Sequence, residues 1–256
     1  MKIVNPKVIS TRAINTDAVY KFIELCGRTC YKSSPNDKIT SEKFIRNLIK
    51  LGHESVLEHY SVSFIITCDR GVSHELVRHR LASYSQESTR YCNYGGKDIE
   101  FIKPKDIEDG SVEYEIWKLQ CERCELAYNN LIKAGAKPET ARSVLPNSLK
   151  TEIVMTANLR EWRHFLKLRS EGITGKPHPD MKEIADMILK IFQQTLPVIV
   201  EDIGVSNKSS DTPNNPPFHN SEIKFSVWSG DGEDIFEVIN SCFKEVFNAD
   251  DNSLHK

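Results

Sequence analysis

A regular alternation of side chains over residues 59–69 constrains the fold more than any other feature of the sequence. Every second position in it is apolar, a set that consists of Tyr60, Val62, Phe64, Ile66 and Cys68. The positions between them are mostly polar, and successive side chains of a strand point to opposite faces of a sheet. The alternation therefore predicts a β-strand with one buried face, which another layer of the protein has to cover.

Helical periodicity and capping residues account for much of the remaining chain. Helices are predicted over about 17–29, 40–52, 71–82, 111–135 and 180–203, with another that begins at Asn158. Further strands are predicted over about 2–12 and 150–157. These elements predict an α/β protein of the α+β type, in which helices flank a central antiparallel or mixed sheet.

The composition disfavours several classes of partner. The chain has 256 residues, of which 39% are hydrophobic and 27% charged, a balance typical of globular proteins. Its net charge of −2 gives no overall attraction to nucleic acid or to an anionic membrane. No run approaches the ~20 apolar residues of a membrane span, and the first residues lack the apolar segment of a signal peptide. We therefore expect a cytoplasmic protein with no nucleic-acid or membrane partner.

The seven cysteines are an odd number, and without a secretory signal they are expected to be reduced thiols. Cys121 and Cys124 have the spacing of a metal-binding pair, but the sequence contains no second pair of this kind. Trp117, Tyr128 and Leu131 fall on the same helical stripe, so a core helix is the preferred interpretation. No metal site is predicted.

The stretch from Arg78 to Tyr91 is the most unusual part of the sequence. It contains three arginines, one histidine, four Ser or Thr hydroxyls and a glutamine, but no lysine. Such a polar, cationic segment cannot lie in a core without partners for its charges. Arginine forks with short hydroxyl donors suit the planar recognition of phosphate or carboxylate, so an anion site is preferred to a solvated surface.

The predicted elements divide this stretch into the end of a helix and a loop. On a helix over 71–82, Arg78, His79 and Arg80 lie about 100° apart, so they cannot all face one ligand atom. Residues 83–93 lose the helical periodicity and are predicted to form a loop that cradles an anion. Because no base is arranged for Ser88 in that loop, hydrogen bonding is preferred to a nucleophilic role.

The segment from Gly52 to His59 contains two histidines and two glutamates, which raises the possibility of a metal site. The zinc-protease helix places its histidines four residues apart, whereas His53 and His59 are six apart. The two side chains therefore cannot share one helical face, and a metal site is disfavoured here.

Arg78-His79-Arg80, followed after seven residues by Ser88 and then by Thr89-Arg90-Tyr91, is a long motif of uncommon residues. In this motif the chain resembles the flavin-dependent thymidylate synthases. The resemblance extends over roughly the first two hundred residues and includes the runs 52–55, 141–146 and 158–169. It implies a thymidylate-synthase-complementing-protein-like fold, assembled as a homotetramer with active sites shared between subunits.

The resemblance also implies an enzyme that methylates dUMP reductively to dTMP. Methylene-tetrahydrofolate would donate the carbon, FAD would carry the hydride and NADPH would reduce the FAD. The chain lacks the glycine-rich loop of dinucleotide-binding folds, and the arginine triplet would serve the FAD phosphates instead. No separate nicotinamide fingerprint is present, so NADPH would bind transiently over the flavin.

The resemblance further assigns site residues. Contacts with FAD would come from His53, Ser55, Arg78, His79, Arg80, Gln86, Asn158, Arg160 and His164. Contacts with dUMP would come from Glu75, Arg78, Gln86, Glu87, Ser88, Thr89, Arg90, Arg142 and Arg169. Two positions depart from the family pattern, since residue 86 is often Glu in the family and residue 164 is Asn in some members. Any role that needs a carboxylate is therefore in doubt for Gln86.

Arg169 is the predicted catalytic residue. It lies at the next position of an apolar stripe formed by Leu159, Trp162 and Leu166, where a buried arginine needs an acceptor. The resemblance implies that Arg169 polarises the uracil ring, whose carbonyl oxygens would be that acceptor. An intrachain salt bridge is the alternative.

The resemblance fades after about residue 204. We predict one catalytic domain over 1–204, followed by a polar linker rich in Pro, Asn and Ser over 205–220. A small β-α appendage is predicted over 221–256, with a strand at 223–228 and a helix at 233–247. No chemistry is assigned to this appendage.

Two other classes of function remain open from the sequence. A non-catalytic RNA- or nucleotide-binding module would also explain clustered Arg, Ser and Tyr, but it predicts a broad basic surface, which the balanced charge disfavours. A hydrolase or transferase without redox chemistry needs a pair of metal-binding carboxylates or a phosphate loop, and the sequence offers neither.

Overall fold

The computed structural model describes residues 1–34 and 39–204. Its strands are β1 Lys2–Ile3, β2 Lys7–Ser10, β3 Ser61–Asp69, β4 Ala82–Gln86, β5 Glu100–Phe101 and β6 Lys150–Asn158. Four of them form the central antiparallel sheet in the order β2-β3-β6-β4. β1 and β5 form a separate two-stranded parallel sheet. The predicted α+β architecture with a central antiparallel sheet is confirmed.

Helices surround this sheet. The α-helices are α1 Thr16–Tyr31, α2 Ser41–Lys50, α3 Arg70–Leu76, α4 Val112–Lys133, α5 Pro138–Ala141, α6 Leu159–Leu166, α7 Pro179–Thr195 and α8 Pro197–Val200. 3-10 helices span Glu54–His59 and Arg142–Val144, and a π-helix spans Lys167–Glu171. Thr40 and Ser111 cap α2 and α4, because each side chain accepts a hydrogen bond from a first-turn N–H.

One face of β3 is buried and forms part of the core, as the alternation of its side chains predicts. Phe64 is fully buried and lies edge-on to Trp162 of α6 and Phe192 of α7, with ring centroids 5.1 and 5.5 Å away. The indole N–H of Trp162 donates to the carbonyl of Val62 at 3.0 Å, so the ring buries its polar atom with a partner. Burying one such aromatic side chain stabilises the fold by about 2–3 kcal/mol. Helix α6 is therefore fixed firmly on the sheet.

A second, smaller core lies between α4 and the segment around β5. It contains Ile99, Phe101, Cys121, Tyr128, Ala141 and Leu149. Cys121 and Cys124 are both buried on α4, so the core interpretation of this pair is confirmed.

Two of the predicted strand and helix boundaries in the first half of the chain are wrong. The strand predicted over 2–12 is split around Pro6, and its halves join different sheets. Proline lacks an N–H and so cannot donate to a continuous ladder. Helix α2 ends at Lys50, and Leu51, which the helix predicted over 40–52 would include, lies beyond it and is 67% exposed.

The prediction for residues 71–93 is also wrong in part. Helix α3 ends at Leu76, so the basic triplet from Arg78 to Arg80 lies in a turn. Residues 82–86 form strand β4 rather than a loop, because they pair with residues 153–157 of β6. As an edge strand with its side chains half-buried or exposed, β4 lacks the apolar face by which β3 was recognised.

The long helix predicted over 180–203 is interrupted. Helix α7 ends at Thr195 and α8 starts at Pro197, whose ring disfavours a helical conformation at the preceding Leu196. The predicted linker, strand and helix of 205–256 lie outside the described residues. No helix in the described part of the chain is both long enough and apolar enough to cross a membrane.

Candidate active site

The turn that joins α3 to β4 presents its basic side chains in different directions. The N–H of Arg78 donates to the carbonyl of Glu75 at 3.2 Å, and that of His79 donates to the carbonyl of Leu76 at 3.0 Å. Arg78 and Arg80 are exposed, whereas His79 is only 6% exposed. The triplet is not helical, yet its side chains diverge as expected, and only the two arginines face solvent.

Tyr84 fixes this turn from strand β4. Its hydroxyl oxygen lies 2.7 Å from the carbonyl oxygens of both Leu76 and His79. Burial, with a contribution from the charge of Glu161, raises the pKa of Tyr84 to about 12, so the hydroxyl keeps its proton and can donate. The strand that was predicted as a loop therefore holds the backbone from which His79 projects.

His79 and Arg169 form the centre of a polar cluster. The Nε–H of Arg169 donates to Nε2 of His79 at 3.2 Å, and its Nη1 donates to Oε2 of Glu75 at 3.0 Å. Burial, followed by the charges of Arg169 and His164, lowers the pKa of His79 to about 4, so the imidazole is neutral at neutral pH. The Arg169 side chain is 25% exposed. The intrachain salt bridge is therefore present, and the guanidinium still reaches solvent.

Arg169 lies in the π-helical turn that follows α6. The N–H of Gly172 donates to the carbonyl of Lys167 at 3.0 Å, which is the i→i+5 pattern. A regular α-helix would place Arg169 on the buried stripe with Trp162 and Leu166. The wider turn rotates it away from that stripe, and its contact with His79 is the result.

The last residue of β4 and the one that follows it are held by neighbouring elements. The amide nitrogen of Gln86 donates to the hydroxyls of Ser73 and Thr151 at 2.9 and 3.2 Å. The Tyr94 hydroxyl donates to Oε1 of Glu87 at 2.7 Å, and burial together with Glu87 raises the pKa of Tyr94. Gln86 and Glu87, both predicted to bind ligands, thus also use polar atoms to fix the start of the loop.

Thr89 and Arg142 line a polar cleft beside this loop. Nη1 of Arg142 donates to Oγ1 of Thr89 at 3.0 Å, although the two residues are 53 positions apart. Ser88 Oγ accepts from the N–H of Arg90 at 3.3 Å, and the Arg90 guanidinium approaches Glu139 to 4.0 Å. Both arginines are exposed. The predicted anion loop therefore lies beside exposed cationic groups.

Arg70 is a cleft residue that the sequence interpretation missed. It lines the same cleft, whose volume is about 430 Å³. Its Nη1 atom is buried and has no hydrogen-bond partner among the described residues. Asp69 caps α3 by accepting from Val72 N–H at 2.8 Å, and Arg70 follows it at the first helical position. A cation is unfavourable at a helix amino terminus, and that conflict is the signal that could have singled out Arg70.

His53, Ser55 and Arg160 line a second cleft, with a volume of about 360 Å³. His53 immediately precedes the 3-10 helix of Glu54–His59, and both His53 and Ser55 are exposed. The Arg160 guanidinium also pairs with Glu58. The structure thus brings together three predicted cofactor residues from two distant segments of the chain.

Asn158 immediately precedes helix α6, and His164 lies near the end of that helix. Oδ1 of Asn158 accepts from the N–H of Glu161 at 2.9 Å, so this amide oxygen caps the helix. His164 is exposed, and its ring centroid lies 6.4 Å from that of His79. Helix α6 therefore connects the cleft at Arg160 to the cluster at Arg169.

The predicted site residues form three groups within one chain. The groups are centred on His79 and Arg169, on Thr89 and Arg142, and on His53 and Arg160. No hydrogen bond or ion pair between described residues joins one group to another. In residues 1–34 and 39–204, no three His, Cys, Asp or Glu side chains are grouped so that they could hold a metal ion. Convergence of the predicted arginines on one flavin and one nucleotide stays a prediction for the assembled protein.

The chain is similar to several known proteins. A family model described as Thymidylate synthase complementing protein matches residues 14–198. A protein of Geobacter sulfurreducens named flavin-dependent thymidylate synthase is 34% identical over 190 residues, which cover 71% of this chain and 81% of that protein. One of the same name from Mycolicibacterium vanbaalenii is 36% identical over 199 residues, covering 70% and 76%.

A solved structure supports the fold. The crystal structure of a UMP/dUMP methylase PolB from Streptomyces cacaoi, bound with 5-Br dUMP, superposes with a TM-score of 0.66 at 24% identity. The superposition covers 78% of this chain and 96% of that one. Because the family model spans most of the sequence and the curated relatives match over most of their length, the chain belongs to the thymidylate synthase complementing protein family.

Proposed function

We propose that the chain is a flavin-dependent thymidylate synthase, which methylates dUMP reductively to dTMP. Methylene-tetrahydrofolate would be the carbon donor, FAD the hydride carrier and NADPH the reductant. Family membership and the names of the relatives support this function. The structural observation that carries it is the partly exposed guanidinium of Arg169, which His79 and Glu75 hold in a fixed orientation.

Arg169 is the proposed catalytic residue. A guanidinium has five N–H donors, and in the described part of the chain only two of those of Arg169 are engaged. The contacts with His79 and Glu75 orient the group before the substrate arrives. The uracil ring is a poor nucleophile at its 5-carbon, and a fixed guanidinium beside its carbonyl oxygens stabilises the ring as negative charge develops. The remaining donors of Arg169 suit this role.

The cleft at Thr89 and Arg142 is the proposed site for the dUMP phosphate. Arg90 and Arg142 supply exposed guanidinium groups, and Ser88 with Thr89 supplies short hydroxyl donors. Bidentate arginine contacts are the strong ones for a phosphate. The remaining dUMP contacts are proposed for Glu75, Arg78, Gln86 and Glu87. The side-chain oxygen of Gln86 is free of the hydrogen bonds described above, whereas Oε2 of Glu87 is buried and lies 3.6 Å from Nζ of Lys150.

The residues assigned to FAD fit its chemistry. Exposed Arg78 and Arg80 offer guanidinium groups to a diphosphate, and the buried His79 lies behind them. The donors of the second cleft, His53, Ser55 and Arg160, would meet another part of the cofactor. Gln86, Asn158 and His164 complete the proposed set. When bound, FAD supplies the hydride transfer that converts the donated carbon to a methyl group.

We further propose a cytoplasmic homotetramer whose active sites are shared between subunits. The separation of the three groups within one chain supports sharing, because a neighbouring subunit could bring exposed arginines such as Arg78 to another group. The described cysteines are all free thiols, which supports a reducing compartment.

Anaerobic turnover tests the proposal. Wild type is incubated with dUMP, methylene-tetrahydrofolate and NADPH, and dTMP is measured beside Arg169→Ala and a matched control, Arg46→Ala. Arg46 pairs with Glu201 and is not among the residues that line either cleft. We expect Arg169→Ala to retain FAD and to lose about 10²–10³-fold in kcat, the cost of removing one preorganised donor, and Arg46→Ala to match wild type. A wild-type protein that binds no flavin or makes no dTMP contradicts the proposed function, and an active Arg169→Ala removes Arg169 from its role.

A further inference from the structure

Glu161 is a buried carboxyl group that the mechanism above does not use. It lies in the first turn of α6 and is 5% exposed. Burial raises its pKa, and no described side chain donates a hydrogen bond to its carboxyl oxygens. The amino terminus of α6 compensates part of its charge. A buried carboxylate remains costly without a closer partner, so its position requires an explanation.

The partner of Glu161 is the imidazole of His79. Oε1 of Glu161 lies 3.6 Å from Nδ1 of His79, and both side chains are 5% exposed. This distance is slightly longer than a hydrogen bond, yet a carboxylate so close in a buried site favours a proton on the facing nitrogen. Glu161 therefore biases where His79 carries its proton.

The other nitrogen of His79 is an acceptor. Nε of Arg169 carries an N–H and can only donate, so Nε2 of His79 must accept the 3.2 Å hydrogen bond between them. A neutral imidazole has a single N–H, and with His79 neutral that proton must be on Nδ1. The proton thus lies on the side of Glu161, and the lone pair lies on the side of Arg169.

Both neighbours of the imidazole come from one continuous helical segment. Glu161, Phe165 and Arg169 are spaced four residues apart, and the π-helical turn keeps Arg169 on their common face. The Phe165 ring packs edge-on against the imidazole with centroids 4.9 Å apart. His79 is consequently held at both ring nitrogens and on its face by a single element.

We propose that Glu161 is a positioning residue, which holds the His79 proton on Nδ1, keeps Nε2 as an acceptor and so aims the Arg169 guanidinium. The role of the aimed guanidinium rests on the proposed function, whereas the tautomer of His79 does not. With the proton on Nε2 instead, two N–H groups would face each other and Arg169 would keep only Glu75. Since Arg169 acts as charge develops on the substrate, losing its orientation lowers kcat more than it raises KM.

The test compares Glu161→Met, which removes the carboxyl oxygens, with Glu161→Gln, whose amide oxygen can still face Nδ1. Each full-length protein is loaded with FAD and labelled with ¹⁵N-histidine. Magic-angle-spinning NMR then reads the two ring nitrogens of His79, whose signals are identified by their absence in His79→Gln.

We expect wild type and Glu161→Gln to carry the proton on Nδ1, and Glu161→Met to shift toward the Nε2–H form. We also expect Glu161→Met to lose about 10–100-fold in kcat, as is typical when a histidine's orienting partner is removed, with KM for dUMP nearly unchanged.

Two results overturn the proposal: a wild-type His79 protonated on Nε2, or Glu161→Met with wild-type ring signals and kcat. If Glu161→Met does not fold, Glu161→Ala, which also removes both carboxyl oxygens, is read in the same way, and wild-type ring signals in it overturn the proposal. Failure of the proposed function is a separate outcome, because it appears as absent dTMP in wild type while the tautomer is read without substrate.

Discussion

Two arginines on the same helical segment, six residues apart, have opposite environments. Arg163 is 1% exposed, and its guanidinium donates to Glu54, to both carboxylate oxygens of Asp202 and to the carbonyl of Ile199. Arg169 is 25% exposed and has two described acceptors, His79 and Glu75. A fully paired guanidinium has nothing left to offer a ligand, whereas a half-paired one is oriented and still available.

The comparison separates structural from functional charge. The contacts of Arg163 connect α6 to the 3-10 helix after His53, to Ile199 in α8 and to Asp202 just beyond α8. They raise the pKa of Arg163 against burial and lower the pKa of Asp202. Arg163 therefore fixes the elements that carry the site, and Arg169 performs the chemistry proposed there. The sequence predicts Arg169 on the buried stripe of this helix, whereas the structure buries Arg163 and leaves Arg169 partly exposed.

Substitution of each arginine by methionine should separate the two roles. We expect Arg163→Met to lower the free energy of unfolding by about 3 kcal/mol, the lower end for a broken buried pair because Asp202 is itself 42% exposed. Arg169→Met should cost about 1 kcal/mol or less, since its pair with Glu75 is partly solvated. Urea unfolding of both variants checks this difference. Equal losses in the free energy of unfolding would contradict a structural role for Arg163 and a functional role for Arg169.

The histidine that holds Arg169 should add a pH dependence of its own. The pKa of His79 is lowered from 6.5 to about 4 in the folded protein, so the unfolded chain binds the proton first as the pH falls. The stability that a neutral His79 contributes is therefore complete above about pH 6.5 and is lost between pH 6.5 and 4, by up to about 3 kcal/mol. Unfolding curves of wild type and His79→Gln across this range measure it. Parallel pH profiles for the two proteins would contradict the expectation.

The smallest effect on stability is expected at a third arginine of the segment, Arg160. Its pair with Glu58 is exposed, at 52% and 46%, so Arg160→Gln should change the free energy of unfolding by less than about 0.5 kcal/mol. FAD affinity should nevertheless fall about tenfold, as for a lost charge-assisted hydrogen bond. Arg46→Gln, which breaks an equally exposed pair with Glu201, is the matched control. Unchanged flavin affinity in Arg160→Gln would remove Arg160 from the cofactor site.

The sequence predicted what local patterns encode. β3 follows from its alternation, α4 from its buried stripe, and α6 from its start at Asn158, whose side chain caps it. β4 was missed because an edge strand with half-buried side chains needs no apolar face, and only its pairing with β6 defines it. The family resemblance supplied the site residues, and their roles stay predictions.

What the sequence could not predict depends on contacts between distant residues. Glu161 and His79 are 82 positions apart, and nothing local identifies either as the neighbour of the other. Nor does composition reveal that the helix widens at Lys167–Glu171, which decides whether Arg169 faces the core or His79. Arg70 was missed because the burial of its Nη1 atom appears only when the cleft forms around it.

The π-helical turn has a consequence for how this protein tolerates change. Such a turn accommodates one residue more than a regular helix would hold in the same length. Removing a single residue between Leu166 and Gly172 would let the segment wind as an ordinary α-helix, with about 100° between successive residues, and Arg169 would lose its present position. A substitution at a position other than Arg169 leaves the number of residues in the turn unchanged, whereas a deletion would misdirect the guanidinium while leaving the composition of the helix almost intact. Residue count, as much as residue identity, is under constraint in this short stretch.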